Sequence, residues 1–151
     1  MDVYISESNL SDAGMGLFAN KIFKKDDIIV DYSGELLTME QARNSDSYYL
    51  FKVGKDTVID AENSESLGRY CNDPIKFSKY NAKIKAHTKT ETASIVATKK
   101  IKKGEEIYVS YGIDYWMNTD HFDLLKSSNQ NYLYKNSIKR FVQWVDDNYD
   151  M

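Results

Sequence analysis

The sequence predicts a mainly β domain of the α+β class with a helical C-terminal extension. Two features predict it. Short runs rich in β-branched and aromatic residues recur along the chain, separated by Gly, Asp, Asn and Ser, the pattern of strands of about four to six residues. Helical periodicity held over several turns begins only after about residue 118.

The strand-like runs are 3–5, 16–19, 28–32, 48–53, 57–59, 82–86, 94–98 and 107–110. Residues 38–44 read as a short helix capped by Thr38, whose hydroxyl can accept from a first-turn amide. Near the end, Thr119-Asp120 offers a helix start. Tyr134, Ile138, Phe141, Val142 and Val145 then form an apolar stripe at helical period, expected to dock on the sheet core. There is no internal repeat or Pro/Gly/Ser-rich linker. The organisation expected is one domain over 1–116 and a helical extension over 117–151 packed on it.

Composition narrows the function classes. With 151 residues and 42% hydrophobic content the chain can bury a core without staples. Its one cysteine, Cys71, excludes an internal disulfide and a multi-cysteine zinc cluster. His87 and His121 are too few to make a metal site. No apolar run reaches the roughly 20 residues of a membrane helix, and no signal-peptide pattern opens the chain. An intracellular protein that does not act at membranes is expected, and Asn9-Leu10-Ser11 is then a chance glycosylation match. The net charge of −3 argues against direct nucleic-acid binding and suits a basic partner. Lys99-Lys100-Ile101-Lys102-Lys103 is the densest basic run and reads as a solvated turn.

Three stretches carry chemistry. Gly14-Met15-Gly16 precedes the strand-like Leu17-Phe18-Ala19; it lacks the third glycine and the helix of a dinucleotide fingerprint. Arg69-Tyr70-Cys71-Asn72-Asp73-Pro74 brings an apolar approach to a polar pair at a bend. Gly104-Glu105-Glu106-Ile107-Tyr108-Val109-Ser110-Tyr111-Gly112 is a turn, a short alternating run and a tyrosine before glycine.

In this order, with Asp31-Tyr32-Ser33-Gly34-Glu35 and Tyr49-Leu50-Phe51 between them, the stretches resemble the SET-domain family of protein lysine methyltransferases. Asp114-Tyr115-Trp116 resembles its small single-domain viral members. The resemblance implies a β-clip-like fold, several small sheets around a threaded C-terminal segment. It implies methyl transfer from S-adenosylmethionine to a lysine of a protein or peptide, with a histone tail as the foremost substrate. Nuclear or chromatin-associated action follows if that substrate is a histone, and a homodimer is compatible with it.

Residue by residue, the resemblance makes Tyr111 and Tyr49 catalytic. It assigns the cofactor to Gly14, Met15, Gly16, Arg69, Asn72, Asp73 and Tyr111. It lines the lysine channel with Tyr49, Val109, Tyr111 and Trp116, and no metal is expected. Val109 stands two before the catalytic tyrosine, where the family carries tyrosine or phenylalanine; its small side chain implies di- or trimethylation. Asp73 replaces the family's histidine, and restoring histidine there is expected to leave activity intact or improve it. The zinc module that often closes the family's channel cannot form with Cys71 alone, which leaves Trp116 and the C-terminal helix for that task.

Overall fold

A computed structural model describes residues 1–110 of the chain, apart from Asp12, Tyr48 and Ile75. Among these, eight strands form three small antiparallel sheets. Strands β1 (Val3–Glu7) and β2 (Met15–Ala19) pair along their whole length, from Val3 opposite Ala19 to Glu7 opposite Met15. The second sheet places β8 (Thr92–Ala97) between β3 (Ile28–Asp31) and β7 (Ala82–His87). The third places β6 (Val58–Asp60) between β4 (Glu35–Leu37) and β5 (Leu50–Lys52). The mainly β prediction agrees with this architecture.

Position in each sheet explains burial. β2 is buried from Gly16 to Ala19 without alternation, because it is covered on both edges. β1 pairs with one edge, and on the other Leu17 O accepts from Ile107 N while Ala19 N donates to Glu105 O. The central β8 buries Ala93, Ile95, Val96 and Ala97. The side chains of Ala93, Ile95 and Ala97 join Leu17, Phe23, Ile101, Ile107 and Val109 in one apolar cluster, whose removal from water drives assembly of the three sheets.

The expected short helix is present as α1 (Met39–Arg43) with Thr38 as its cap. Thr38 Oγ1 accepts from Gln41 N, and the Gln41 side chain accepts from Thr38 N, a reciprocal capping box. A 3-10 turn (Leu67–Tyr70) delivers the chain into Asn72.

Two expectations are corrected. β4 is a strand that no β-rich run announced, since Glu35-Leu36-Leu37 sits on an exposed edge and draws its order from pairing with β6. Residues 107–110 do not form a strand. The segment makes isolated bridges, Phe18 with Glu106 and Asn72 with Tyr108, because its partners change from one side to the other along its length. It runs between β2 and the pair formed by Asn72 and Asn81. The expected C-terminal helix and the domain boundary at 116 lie outside the described residues.

Candidate active site

The crossing segment 105–109 brings the three motifs together. On one side it bonds to β2, which follows Gly14 and begins at Met15. On the other, Val109 N donates to Asn72 O, and Asn81 holds Tyr108 N through Oδ1 and Glu106 O through Nδ2. Asn81 thus supplies through its amide the paired donor and acceptor that a neighbouring strand would offer.

At the centre lies the Glu106 carboxylate, on a residue only 3% exposed. It accepts from Ser8 Oγ at 2.6 Å, from Asn9 N at 2.7 Å, from the Tyr108 hydroxyl at 3.1 Å and from Asn72 Nδ2 at 3.4 Å. A buried carboxylate costs little when donors surround it. These donors come from three separate stretches of chain, Ser8-Asn9, Asn72 and Tyr108, so one side chain ties them together. Gly16 packs directly on it, and a Cβ there would collide with Glu106 Oε2. Gly14 has a different reason, a φ of +70° in the left-handed region. The Gly-Met-Gly stretch is therefore set by backbone conformation at one end and by the carboxylate at the other.

Asn72 is buried, and its Nδ2 also donates to Met15 O at 3.0 Å. Both neighbours of that nitrogen are acceptors, which fixes the amide orientation. No hydrogen bond from the described residues reaches Oδ1. An acceptor is thereby presented beside the main chain of Met15, whose side chain is exposed.

Asp73 turns away from this cluster. Only 1% exposed, it accepts from the Tyr80 hydroxyl at 2.6 Å. Burial, the Asp73 charge and this hydrogen bond all push the Tyr80 phenol above its ordinary value. The carboxylate that replaces histidine therefore pins the longer loop of residues 74–80. Cys71 is fully buried; burial, and then the nearby Glu106 charge, push its thiol up, so it is no nucleophile.

Tyr49 and Arg69 make a second group. The Arg69 guanidinium lies 4.6 Å from the Tyr70 ring centre and 5.7 Å from that of Tyr49. It donates to Glu62 O at 2.7 Å and to the Tyr70 hydroxyl at 2.8 Å, while its buried Nε has no partner. The Tyr49 carbonyl accepts from the Tyr32 hydroxyl at 2.9 Å. Burial raises the Tyr49 phenol above its ordinary 10.0, with Arg69 opposing.

The structure thus brings Gly16 and Asn72 onto Glu106, holds Met15 and Val109 through Asn72 and Gly14 through Ser8 N, and sets Arg69 beside Tyr49. Val109 is fully buried in the apolar cluster. Tyr111 and Trp116 lie outside the described residues. Sequence reasoning passed over Glu106, Ser8, Asn81 and Tyr80 as site-builders. The one signal for Glu106 was the glutamate doublet itself. Among the described residues no group of His, Cys, Asp and Glu is placed to hold a metal ion, and no helix is long and apolar enough to cross a membrane.

The family model for the SET domain matches residues 14–112. The chain belongs to the SET-domain family. It is similar to histone-lysine N-methyltransferase 2D of Homo sapiens, with 26% identity over 122 residues, 76% of this chain and 2% of that protein. A histone-lysine N-methyltransferase, H3 lysine-36 specific, of Debaryomyces hansenii is 32% identical over 67% of this chain and 15% of its own length. N-lysine methyltransferase KMT5A-A of Danio rerio is 30% identical over 66% of this chain and 32% of its own. The chain therefore spans well under two thirds of the length of these relatives. Among solved structures, a chain of ctPRC2 in an autoinhibited conformation bound to S-adenosylmethionine superposes with a TM-score of 0.63 at 27% identity, over 82% of this chain and 16% of that one.

Proposed function

We propose that this protein is an S-adenosylmethionine-dependent protein-lysine N-methyltransferase that acts on a histone tail at chromatin. The observation that carries the reading is the meeting of Gly16 and Asn72 on Glu106, with Asn72 also holding Met15 O, at the segment that leads into Tyr111. The relatives named as histone-lysine and N-lysine methyltransferases, and the S-adenosylmethionine in the structural neighbour, support it.

The cofactor supplies an electrophilic methyl group on a sulfonium. The donor set suits its amino-acid end: Asn72 Oδ1 is an acceptor for an ammonium, and the glycine backbone beside it admits close approach. Asn72, Met15 and Gly16 would hold that end, with Tyr111 completing the site. The lysine amine attacks only as the free base, so the chain must disfavour its charged form. Tyr49, with its phenol held neutral by burial, gives a partly dry aromatic wall. The Arg69 cation behind that wall adds repulsion toward an ammonium. Val109 adds no hydroxyl to restrain a methylated amine, which supports di- or trimethylation.

Incubation with labelled S-adenosylmethionine and histone peptides, followed by mass spectrometry, tests this directly. Wild type should yield di- or trimethyl-lysine. Tyr111→Phe should bind the cofactor normally yet lose roughly 100-fold in turnover, the usual effect of deleting one polar group at a reacting centre. Cofactor binding without transfer to any histone or other basic protein would make the chain a binding module. Near-normal turnover of the variant would remove Tyr111 from catalysis.

A further inference from the structure

Charge is segregated along this chain far more sharply than its net −3 conveys. Residues 1–75 hold fourteen acidic and seven basic side chains, whereas residues 76–103 hold nine lysines and one acid, Glu91. All nine lysines are exposed. None has an ion-pair partner among the described residues, where the ion pair formed joins Lys21 to Asp2.

The fold concentrates these lysines on the β7–β8 hairpin and the turns at its base. Lys83 and Lys85 alternate outward on β7, the edge strand of its sheet, which beyond β8 is joined at its first residue by the bond from Ala82 N to Tyr108 O. The register that pairs Ala82 with Ala97 brings the chain entering β7 beside the chain leaving β8. Lys79 and Lys99 accordingly line one open cleft of about 400 Å3, whose floor includes Asn81, Gly104 and Tyr108. Lys102 and Lys103 lie in the turn ending at Gly104. The acids nearby weaken this field little. Glu106 is saturated with donors, and Glu91 accepts from Thr57 Oγ1 at the hairpin tip. Glu105 on the cleft, Asp26 and Asp27 beside the end of β8, and Asp31, in register with Lys85 across Ser94, remain as a minority.

We propose that this hairpin face docks the phosphate backbone of double-stranded nucleic acid. Unpaired ammonium groups on flexible stems suit a row of phosphates, which they neutralise with release of counterions. Among the described residues the aromatic rings at hand, Tyr80 and Tyr108, are half-buried and tied by their hydroxyls to Asp73 and Glu106. The face therefore offers, among the described residues, no stacking platform of the kind a single strand uses. A membrane fits less well: among the described residues the exposed large apolar side chains lie between Met1 and Leu36, outside the hairpin. Local distribution here outweighs the net charge, from which no direct nucleic-acid contact was expected.

Fluorescence anisotropy of a labelled DNA duplex of about 20 base pairs, titrated with the full chain at several salt concentrations, tests the proposal. Micromolar binding at low salt is expected, with log affinity falling linearly against log salt. Replacing Lys83→Ala and Lys85→Ala together should lower the magnitude of that slope by about two, one per lost phosphate contact. Both sites are exposed, so the melting temperature should hold. Arg43→Ala with Lys52→Ala removes equal charge from the neighbourhood of the other three-stranded sheet and should leave slope and affinity unchanged. Equal losses in the two pairs would overturn a localised face, as would absence of binding at low salt. Stronger binding to phosphatidylserine vesicles than to the duplex would assign the lysines to a membrane and overturn the proposal.

Discussion

Asp73 and Asn72 are adjacent and point to different tasks. Asn72 offers Oδ1 beside the Met15 main chain, whereas Asp73 is buried on Tyr80. Substituting Asn72→Ala removes an acceptor and the donor that holds Met15 O, and leaves the Glu106 carboxylate with one donor fewer. Losing a buried polar partner costs about 1–3 kcal/mol, so the dissociation constant for S-adenosylmethionine should rise roughly tenfold or more. Calorimetry on a folded variant with unchanged affinity would return Asn72 to a turn-forming role. For Asp73→His the structure adds an expectation for stability to the one for activity. An imidazole has to enter a closed site and cannot offer Tyr80 the same carboxylate acceptor. The variant should lose roughly 2 kcal/mol of stability, read as a lower midpoint in urea. A midpoint at or above wild type would show that the loop of residues 74–80 is held by something other than this pair.

The crossing segment is held in place as an element by Glu106 and Asn81, and its neighbours decide its form. Glu106→Ala deprives Ser8, Asn9, Tyr108 and Asn72 of one acceptor at once and should cost roughly 3 kcal/mol. Glu106→Gln keeps the volume and separates the two roles. The Ser8 and Tyr108 hydroxyls can turn to accept, but an amide nitrogen set toward Asn72 Nδ2 faces another donor. The glutamine variant should therefore stay folded while cofactor affinity drops. A glutamine variant as tight-binding as wild type would limit Glu106 to a structural role. This element also marks where the sequence stopped being legible. Residues 106, 108 and 110 share the polar parity of an alternating strand, which places Glu106 on the solvent face. The loop carrying Ser8 and Asn9 covers that face, a long-range contact that no local pattern encodes. The paired strands were legible because β-branched runs carry their own signal, and α1 because Thr38 and Gln41 sit three apart. β4 was not, since its order comes from β6. Asn72 and the Gly-Met-Gly stretch were legible only through the ordered motifs of the family.

At the scale of the whole molecule, the fold also buries ionisable groups that gain nothing by ionising: Cys71 and Tyr32 in the apolar cluster, Tyr49 packed against it, and Tyr80 beside Asp73. Burial is the leading reason that Cys71, Tyr32, Tyr49 and Tyr80 are all raised above their ordinary values, 9.0 for the thiol and 10.0 for the phenols. In the unfolded chain these groups lose protons near those values, whereas in the folded chain they keep them to higher pH. Above about pH 9 the native state therefore binds more protons than the unfolded state, and stability falls as pH rises. Below pH 9 this contribution is complete and the melting temperature should not respond to these groups. The decline should start with the thiol and steepen as the phenols join it near pH 10. Cys71→Ala provides the separating control: it removes the first of these steps, so its melting temperature should hold flatter between pH 9 and 10 than that of wild type, while the steeper fall above pH 10 persists. Melting curves recorded by circular dichroism from pH 7 to pH 11 give both comparisons. If wild type and variant follow parallel curves across pH 9 to 10, the Cys71 thiol ionises as readily in the fold as outside it, and the cluster is more open to water around Cys71 than its packing implies.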